Sequence, residues 1–244
     1  MIYDSHCHID LMPNMIEIIQ TMRKSQIGLF AVGTTPKAYV HELELCKSVP
    51  SIHVGLGMHP QLLSTGYDDM LLFEKLIPSS HYIGEIGLDF SKNYIHLKEK
   101  QIEAFERIIQ MCEYYGEKVV SIHSLKSASS VIEIIQKNKV SNKNRYLLHW
   151  YTGTMSQLRK AVELGCFFSV NPKMLKTKSG VEIIKNIPAD RILLETDAPF
   201  VKQYLSVQLI EKELKEMLGN ISHILGKDIS KIVEENGESV FIYN

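Results

Sequence analysis

The chain has 244 residues, enough for one large hydrophobic core and short for two. Hydrophobic residues make up 45% and charged residues 23%, with 27 basic against 28 acidic side chains and a formal net charge of −1; this balance argues against wrapping duplex nucleic acid in an overall positive field. Cys7, Cys46, Cys112 and Cys166 are far apart and form no CxxC pair, so neither a zinc knuckle nor a disulfide framework is expected. No basic leader precedes an apolar core and no apolar run approaches the roughly 20 residues that span a bilayer, so the expectation is a soluble cytoplasmic protein without a membrane partner.

Short apolar or β-branched runs alternate with longer segments of helical spacing. Strands are predicted over residues 1–6, 27–32, 53–57, 82–86, 119–123, 145–149, 166–170 and 191–195. Helices are predicted between them at 15–25, 37–48, 68–76, 98–115, 127–136, 155–164 and 180–186, and two more at 206–218 and 222–236. Strands and helices in strict alternation predict an α/β fold, a (β/α)8 TIM-type barrel distorted where connections are short, with a doubly wound open sheet as the alternative. No Pro- or Gly-rich linker interrupts it, so residues 1–244 are expected to form a single domain.

The polar residues fall where such a barrel does its chemistry. Alternate residues of a strand share a face, so an extended start presents Asp4, His6 and His8 together. His59 follows the third strand, Glu85 and Asp89 lie at the fourth, His123 and His149 end the fifth and sixth, and Glu195 and Asp197 end the eighth. Side chains at strand C-termini converge on one mouth. So many histidines and acids there would be costly unless paired or metal-bound. Imidazole and carboxylate donors suit zinc, manganese or iron, and a carboxylate-rich set also holds magnesium. Gly84-Glu85-Ile86-Gly87 lacks the third glycine of a dinucleotide loop.

Taken in order, Asp4-x-His6-x-His8, Gly57-Met58-His59-Pro60, Gly84-Glu85-Ile86-Gly87-Leu88-Asp89, Ile122-His123-Ser124, His149-Trp150-Tyr151-Thr152-Gly153 and Glu195-Thr196-Asp197-Ala198-Pro199 resemble the signatures of the TatD family of metal-dependent DNases, within the amidohydrolase-like barrels. The resemblance runs through nearly the whole chain. It implies two divalent metal ions, magnesium or manganese before zinc: His6, His8, Glu85 and Asp197 around one, and Glu85, His123 and His149 around the other, with Glu85 bridging. It implies Asp197 as the group that orients or deprotonates the attacking water, His59 as a phosphate contact, and Glu195 with Asp4 as outer supports or ligands of an additional ion. Trp150 and Tyr151 are candidates for stacking on bases. The activity implied is a phosphodiesterase, a 3′–5′ exonuclease on single-stranded or frayed DNA ends.

Two departures bear on substrate. The family's His-x-Arg is His123-Ser124-Leu125 here, which removes an arginine fork for phosphate, and Lys126 does not reproduce its bidentate geometry. The Gly-Lys-Arg-Asn-like loop after the last strand is also missing. A shortened TatD-like chain is similar to the nuclease component of the Qat anti-phage system, which implies partners in a Qat-type defence complex. The alternatives are a metal-dependent amidohydrolase or small phosphoester hydrolase, for which a carbamylated lysine in place of Glu85 would speak, and a metal-stabilised non-catalytic subunit of a defence complex.

Overall fold

In the computed structural model, which describes residues 1–242, parallel strands and helices alternate along the chain. The strands are β1 (Ile2–Cys7), β2 (Ile27–Val32), β3 (Ile52–Gly55), β4 (Tyr82–Asp89), β5 (Val119–Leu125), β6 (Arg145–His149), β7 (Phe167–Val170) and β8 (Ile192–Leu194). They alternate with α1 (Met15–Met22), α2 (Pro36–Cys46), α3 (Met70–Leu76), α4 (Lys98–Tyr115), α5 (Ala128–Asn138), α6 (Met155–Glu163) and α7 (Lys178–Asn186), and α8 (Val207–Leu225) and α9 (Ser230–Phe241) follow. Hydrogen-bonded neighbours run β3-β2-β1-β8-β7-β6-β5-β4. First and last strands pair, Asp4 opposite Leu194, so the sheet curls into a nearly closed TIM-type barrel rather than an open doubly wound sheet.

The barrel is most distorted at the seam between β3 and β4. Ladder pairing is replaced there by a bridge between Leu56 and Ile83, with the Leu56 amide donating to the Tyr82 carbonyl (2.9 Å) and the Gly84 amide to the Leu56 carbonyl (2.9 Å). Beyond it the Glu85 amide reaches the Gly33 carbonyl (2.7 Å) and the Met58 amide the Glu85 carbonyl (3.0 Å). Backbones approach so closely that a Cβ on Gly57 would overlap the Gly33 carbonyl. Gly57→Ala is therefore expected to cost about 3 kcal/mol or more, since neither backbone can retreat without opening the seam. Urea denaturation checks this, and an unchanged midpoint would contradict it.

The strands read as continuous apolar runs because both faces are covered. The β2 residues are all buried, as are all but the first of β1 and of β4. Tyr3, Phe30, Val119, Leu147, Phe167 and Leu193 pack together with Val240 and Phe241 of α9, with the Tyr3 and Phe241 rings stacked at 4.9 Å. The last helix thus plugs the end of the barrel where the strands begin. The other end is left for polar side chains.

Several predicted boundaries are corrected, the last helix among them, which runs over Ser230–Phe241 rather than 222–236. β4 runs past residue 86 to Asp89, because Gly87, Leu88 and Asp89 pair with His123, Ser124 and Leu125 of β5. α8 does not break near residue 219 but continues to Leu225 and ends at Gly226, whose φ of 65° suits glycine. Burial of Leu218 and Ile221 on one stripe offsets the roughly 1 kcal/mol cost of Gly219 in a helix. Among the described residues no helix is long and apolar enough to cross a membrane.

Candidate active site

β1 carries His6, and His8 follows immediately after the strand. The register between β1 and β2 slips between Asp4 and Cys7, so strict alternation does not carry through this segment. Asp4, expected beside the histidines, instead accepts hydrogen bonds from the Thr196 amide (2.9 Å) and hydroxyl (2.6 Å). It thereby fastens the chain beyond β8 to β1. The Asp197 amide donates to the His6 carbonyl (3.0 Å) and the His8 amide to the Ala198 carbonyl (2.8 Å), so the two segments are stitched together on both sides of Asp197. Asp197 has a φ of 48°, a left-handed conformation that Asp and Asn tolerate better than most residues.

Glu85 is at the centre, only 2% exposed. Its two oxygens face different groups of imidazoles. Oε2 lies 3.2 Å from His8 Nε2, 3.3 Å from His59 Nε2 and 3.5 Å from His6 Nε2. Oε1 lies 2.8 Å from His123 Nδ1 and 3.0 Å from His149 Nε2. Asp197 Oδ1 closes the first side, 3.9 Å from His6 Nε2 and 3.8 Å from His8 Nε2. Three donor groups of the kind that hold a divalent ion result among the described residues, His6 with His8 and Glu85, Glu85 with His59 and His123, and His6 with His149 and Glu195, the ligand atoms of each within 4.8 Å of one another.

Outer contacts fix which nitrogen faces inward. Asp89 Oδ2 is 3.3 Å from His123 Nε2, and a carboxylate at its low pKa only accepts, so that nitrogen carries the proton. Burial would raise the Asp89 pKa, but hydrogen bonds from His123, Ser91 and Gln61 hold it well below the usual carboxylate range. The lone pair of His123 Nδ1 then points at Glu85 Oε1 across 2.8 Å. Two acceptors that close require a proton or a cation between them. His59 Nδ1 accepts from the Gln61 amide (3.2 Å), which leaves its Nε2–H directed toward Glu85. His6 Nδ1 pairs with the Ser121 hydroxyl at 2.7 Å, and Glu195 accepts from the Trp150 amide (3.1 Å) and Asn171 (3.2 Å) beside His149, with Ser169 also bonded to it.

The histidines of the cluster divide: burial, with His149 beside it, holds His6 well below the usual imidazole range, and burial also lowers His59, while the other three go up. Burial alone would raise the Glu85 pKa, but His59, His149 and His6 hold it well below the ordinary range. Burial opposes protonation of His8, His123 and His149, yet the carboxylates outweigh it and raise all three: Glu85 for His8, Asp89 and Glu85 for His123, Glu85 and Glu195 for His149. Burial and the neighbouring Glu195 push Asp197 up to about 7, against the pull of His149. An ionised buried carboxylate among imidazoles is a poor stability device and a good cation cradle. The donor set therefore fits divalent metal ions.

A cavity of about 500 Å³ opens over this centre, with Leu11, Leu62, Leu125, Trp150 and Phe200 around its polar floor. Trp150 lines it, as expected. Tyr151 does not: it is fully buried, its ring edge-on to Phe168 at 5.5 Å, and it belongs to the core rather than to any base platform. Gln61, Ser121 and Phe200 were not anticipated. Ser121 could have been found, since it precedes His123 by two positions on the same strand and so shares its face. Nothing in the sequence marks Gln61, whose amide holds His59 and whose side chain holds Asp89 (2.7 Å). Phe200 sets its ring edge-on to His8 at 5.1 Å.

Fold and site together define a metal-dependent hydrolase built on a TIM-type barrel. A profile of TatD related DNases matches residues 3–242, and the chain belongs to that family. It is similar to the metal-dependent hydrolase YabD of Bacillus subtilis, 24% identical over the full length of both chains, and to the human deoxyribonuclease TATDN3, 24% identical over 95% of this chain and 90% of the other. The crystal structure of YJJV, a TatD homolog from Escherichia coli, superposes with a TM-score of 0.83 at 19% identity, covering 100% of this chain and 98% of that one. A TatD family hydrolase from Entamoeba histolytica gives 0.79 at 17%, covering 99% and 98%. These structural likenesses speak for the fold.

Proposed function

We propose that this chain, folded as one barrel domain, is a two-metal phosphodiesterase acting on single-stranded or frayed DNA ends as a 3′–5′ exonuclease. The observation that carries the reading is the division of Glu85, one oxygen toward His6 and His8, the other toward His123 and His149. His6, His8, Glu85 and Asp197 would hold one divalent ion, magnesium or manganese before zinc, and Glu85, His123 and His149 the second. When bound, such ions neutralise phosphate charge and lower the pKa of water. Asp197 takes the proton of the attacking water, at the edge of the cavity beside His6 and His8. His59 Nε2–H donates to a phosphate oxygen while the Gln61 amide holds its ring. Glu195 and Asp89 keep His149 and His123 in place, and Asp4 holds the Asp197 segment through Thr196.

Cleavage of end-labelled single-stranded DNA in magnesium, manganese and zinc tests this. A ladder shortening from the 3′ end supports the reading; an uncut label in all three metals sinks it. Leu125 in place of arginine and the apolar rim of the cavity favour a few nucleotides at a strand end over a long duplex. The same departures support a Qat-type defence nuclease working with protein partners in the cytoplasm. The amidohydrolase reading is weaker, since Glu85 occupies the bridging place.

Asp197, raised to about 7, must lose its proton to serve as a ligand. A group raised in this way is protonated below its pKa and competes with the ion. Metal affinity is therefore expected to weaken by about tenfold or more per pH unit below that value, with proton release on binding, because the raised His8, His123 and His149 must shed protons as well. Calorimetric titration with manganese at about pH 6 and about pH 8, in buffers of different ionisation enthalpy, checks this. Equal affinity at both would contradict it.

A further inference from the structure

Beside the metal-centre cavity lies a second one of about 200 Å³, and the two share Ser124 and Thr152 in their walls. The second cavity sits over the first turns of α5 and α6. Its lining includes Lys126, several hydroxyls and no acidic side chain. The two helices treat their ends differently. α6 is closed by a reciprocal pair, Thr154 Oγ accepting from the Gln157 amide and Gln157 Oε1 from the Thr154 amide (2.8 Å). α5 has no such closure. Ser127 stands at its N-cap but turns its hydroxyl to the Leu88 carbonyl (2.6 Å), so no side chain caps the amides of the first turn. Exposed first-turn amides with the positive end of the helix dipole attract anions.

An independent observation comes from Ser124. It is only 5% exposed, and its hydroxyl makes no hydrogen bond to any other side chain or backbone group among the described residues, although it lines both cavities. With no protein partner, that hydroxyl keeps its hydrogen-bonding capacity for whatever fills the cavities it lines. Ser129, by contrast, donates to Glu133 (2.9 Å) and is excluded from the set. Ser124, Lys126 and the first turn of α5 thus line one cavity that adjoins the catalytic one.

Resting on the phosphodiesterase reading, we propose that this second cavity binds the phosphoryl group next to the scissile one, so that the enzyme prefers a substrate carrying two phosphates in succession. It would anchor a short strand without the arginine fork at Leu125. The same chemistry could be met by free inorganic phosphate, and the two sources predict different binding.

The test compares the dinucleotide TpT with pTpT and TpTp, which add a phosphate at one end or the other, by calorimetry on manganese-loaded Asp197→Asn protein, whose slowed turnover leaves the ligands intact over a titration. One of the doubly phosphorylated ligands is expected to bind about tenfold or more tightly than TpT, as charge-assisted hydrogen bonds provide. Ser124→Ala with Lys126→Ala should erase that preference and leave TpT affinity unchanged. Equal affinity of all three ligands, or a preference that survives both substitutions, would overturn the proposal, as would inorganic phosphate that competes with pTpT and TpTp no better than with TpT. Lys126→Ala alone, an exposed position, gives the same reading should the buried substitution misfold. Hydrolysis of bis(p-nitrophenyl) phosphate by the unaltered enzyme, which offers a single phosphate, judges the metal centre separately: its absence counts against the phosphodiesterase while the ligand ratio still decides the second cavity.

Discussion

Glu85→Ala is expected to lower hydrolysis on the order of a thousandfold or more, because it removes the one group that both halves of the centre share. Its oxygens lie within 2.8–3.5 Å of His6, His8, His59, His123 and His149; among the described residues Glu195 also groups with His6 and His149, but its ion-pair contact is with His149 alone (3.6 Å). The fold should survive, since the imidazoles left behind can remain neutral and the surrounding strands keep their ladders. The measurable signature is in stability. An ion that binds only the folded state stabilises by about 2.7 kcal/mol at a hundred times its Kd, so added manganese should raise the melting temperature of the natural chain by several degrees and that of the variant hardly at all. Undiminished turnover together with an unchanged manganese shift would remove Glu85 from the centre.

Asp197→Asn is the second large effect and has a different profile. Asparagine keeps the size of the side chain and tolerates the left-handed φ of 48° at this position, so the hydrogen bonds from the Asp197 amide and to the Ala198 carbonyl should persist. What it loses is the ability to accept a proton. The expected result is a fall in kcat of roughly a hundredfold to ten-thousandfold, the range of a general base, with KM changed far less. A larger change in KM than in kcat would make Asp197 a substrate-binding group instead.

Much of this was legible in the sequence because a barrel turns strand order into spatial convergence. His6, Glu85, His123 and His149 each sit on or at the end of a predicted strand, and closure between β1 and β8 brings them to one mouth. The long helix at 98–115 was found to the residue, since its apolar stripe through Phe105, Ile108, Ile109 and Cys112 is bounded by Gly116. Period-two reasoning failed at Asp4 because the register slips before Cys7, and a slip redirects a side chain. Tyr151, which the sequence leaves between stacking on bases and covering the barrel, takes the second role: an aromatic next to a site residue reads the same in sequence whether it faces the cavity, as Trp150 does, or the core. Gln61 was invisible for a related reason. Its role depends on His59 and Asp89 meeting across the β3–β4 seam, which no local pattern encodes.

The central claim is that one carboxylate divides two metal ions. Anomalous diffraction from crystals soaked in manganese tests it most directly. The account predicts two peaks, one on each side of Glu85, the first in contact with His6, His8 and Asp197 and the second with His123 and His149. A single peak, or a pair that leaves Glu85 without contact to either ion, would contradict it.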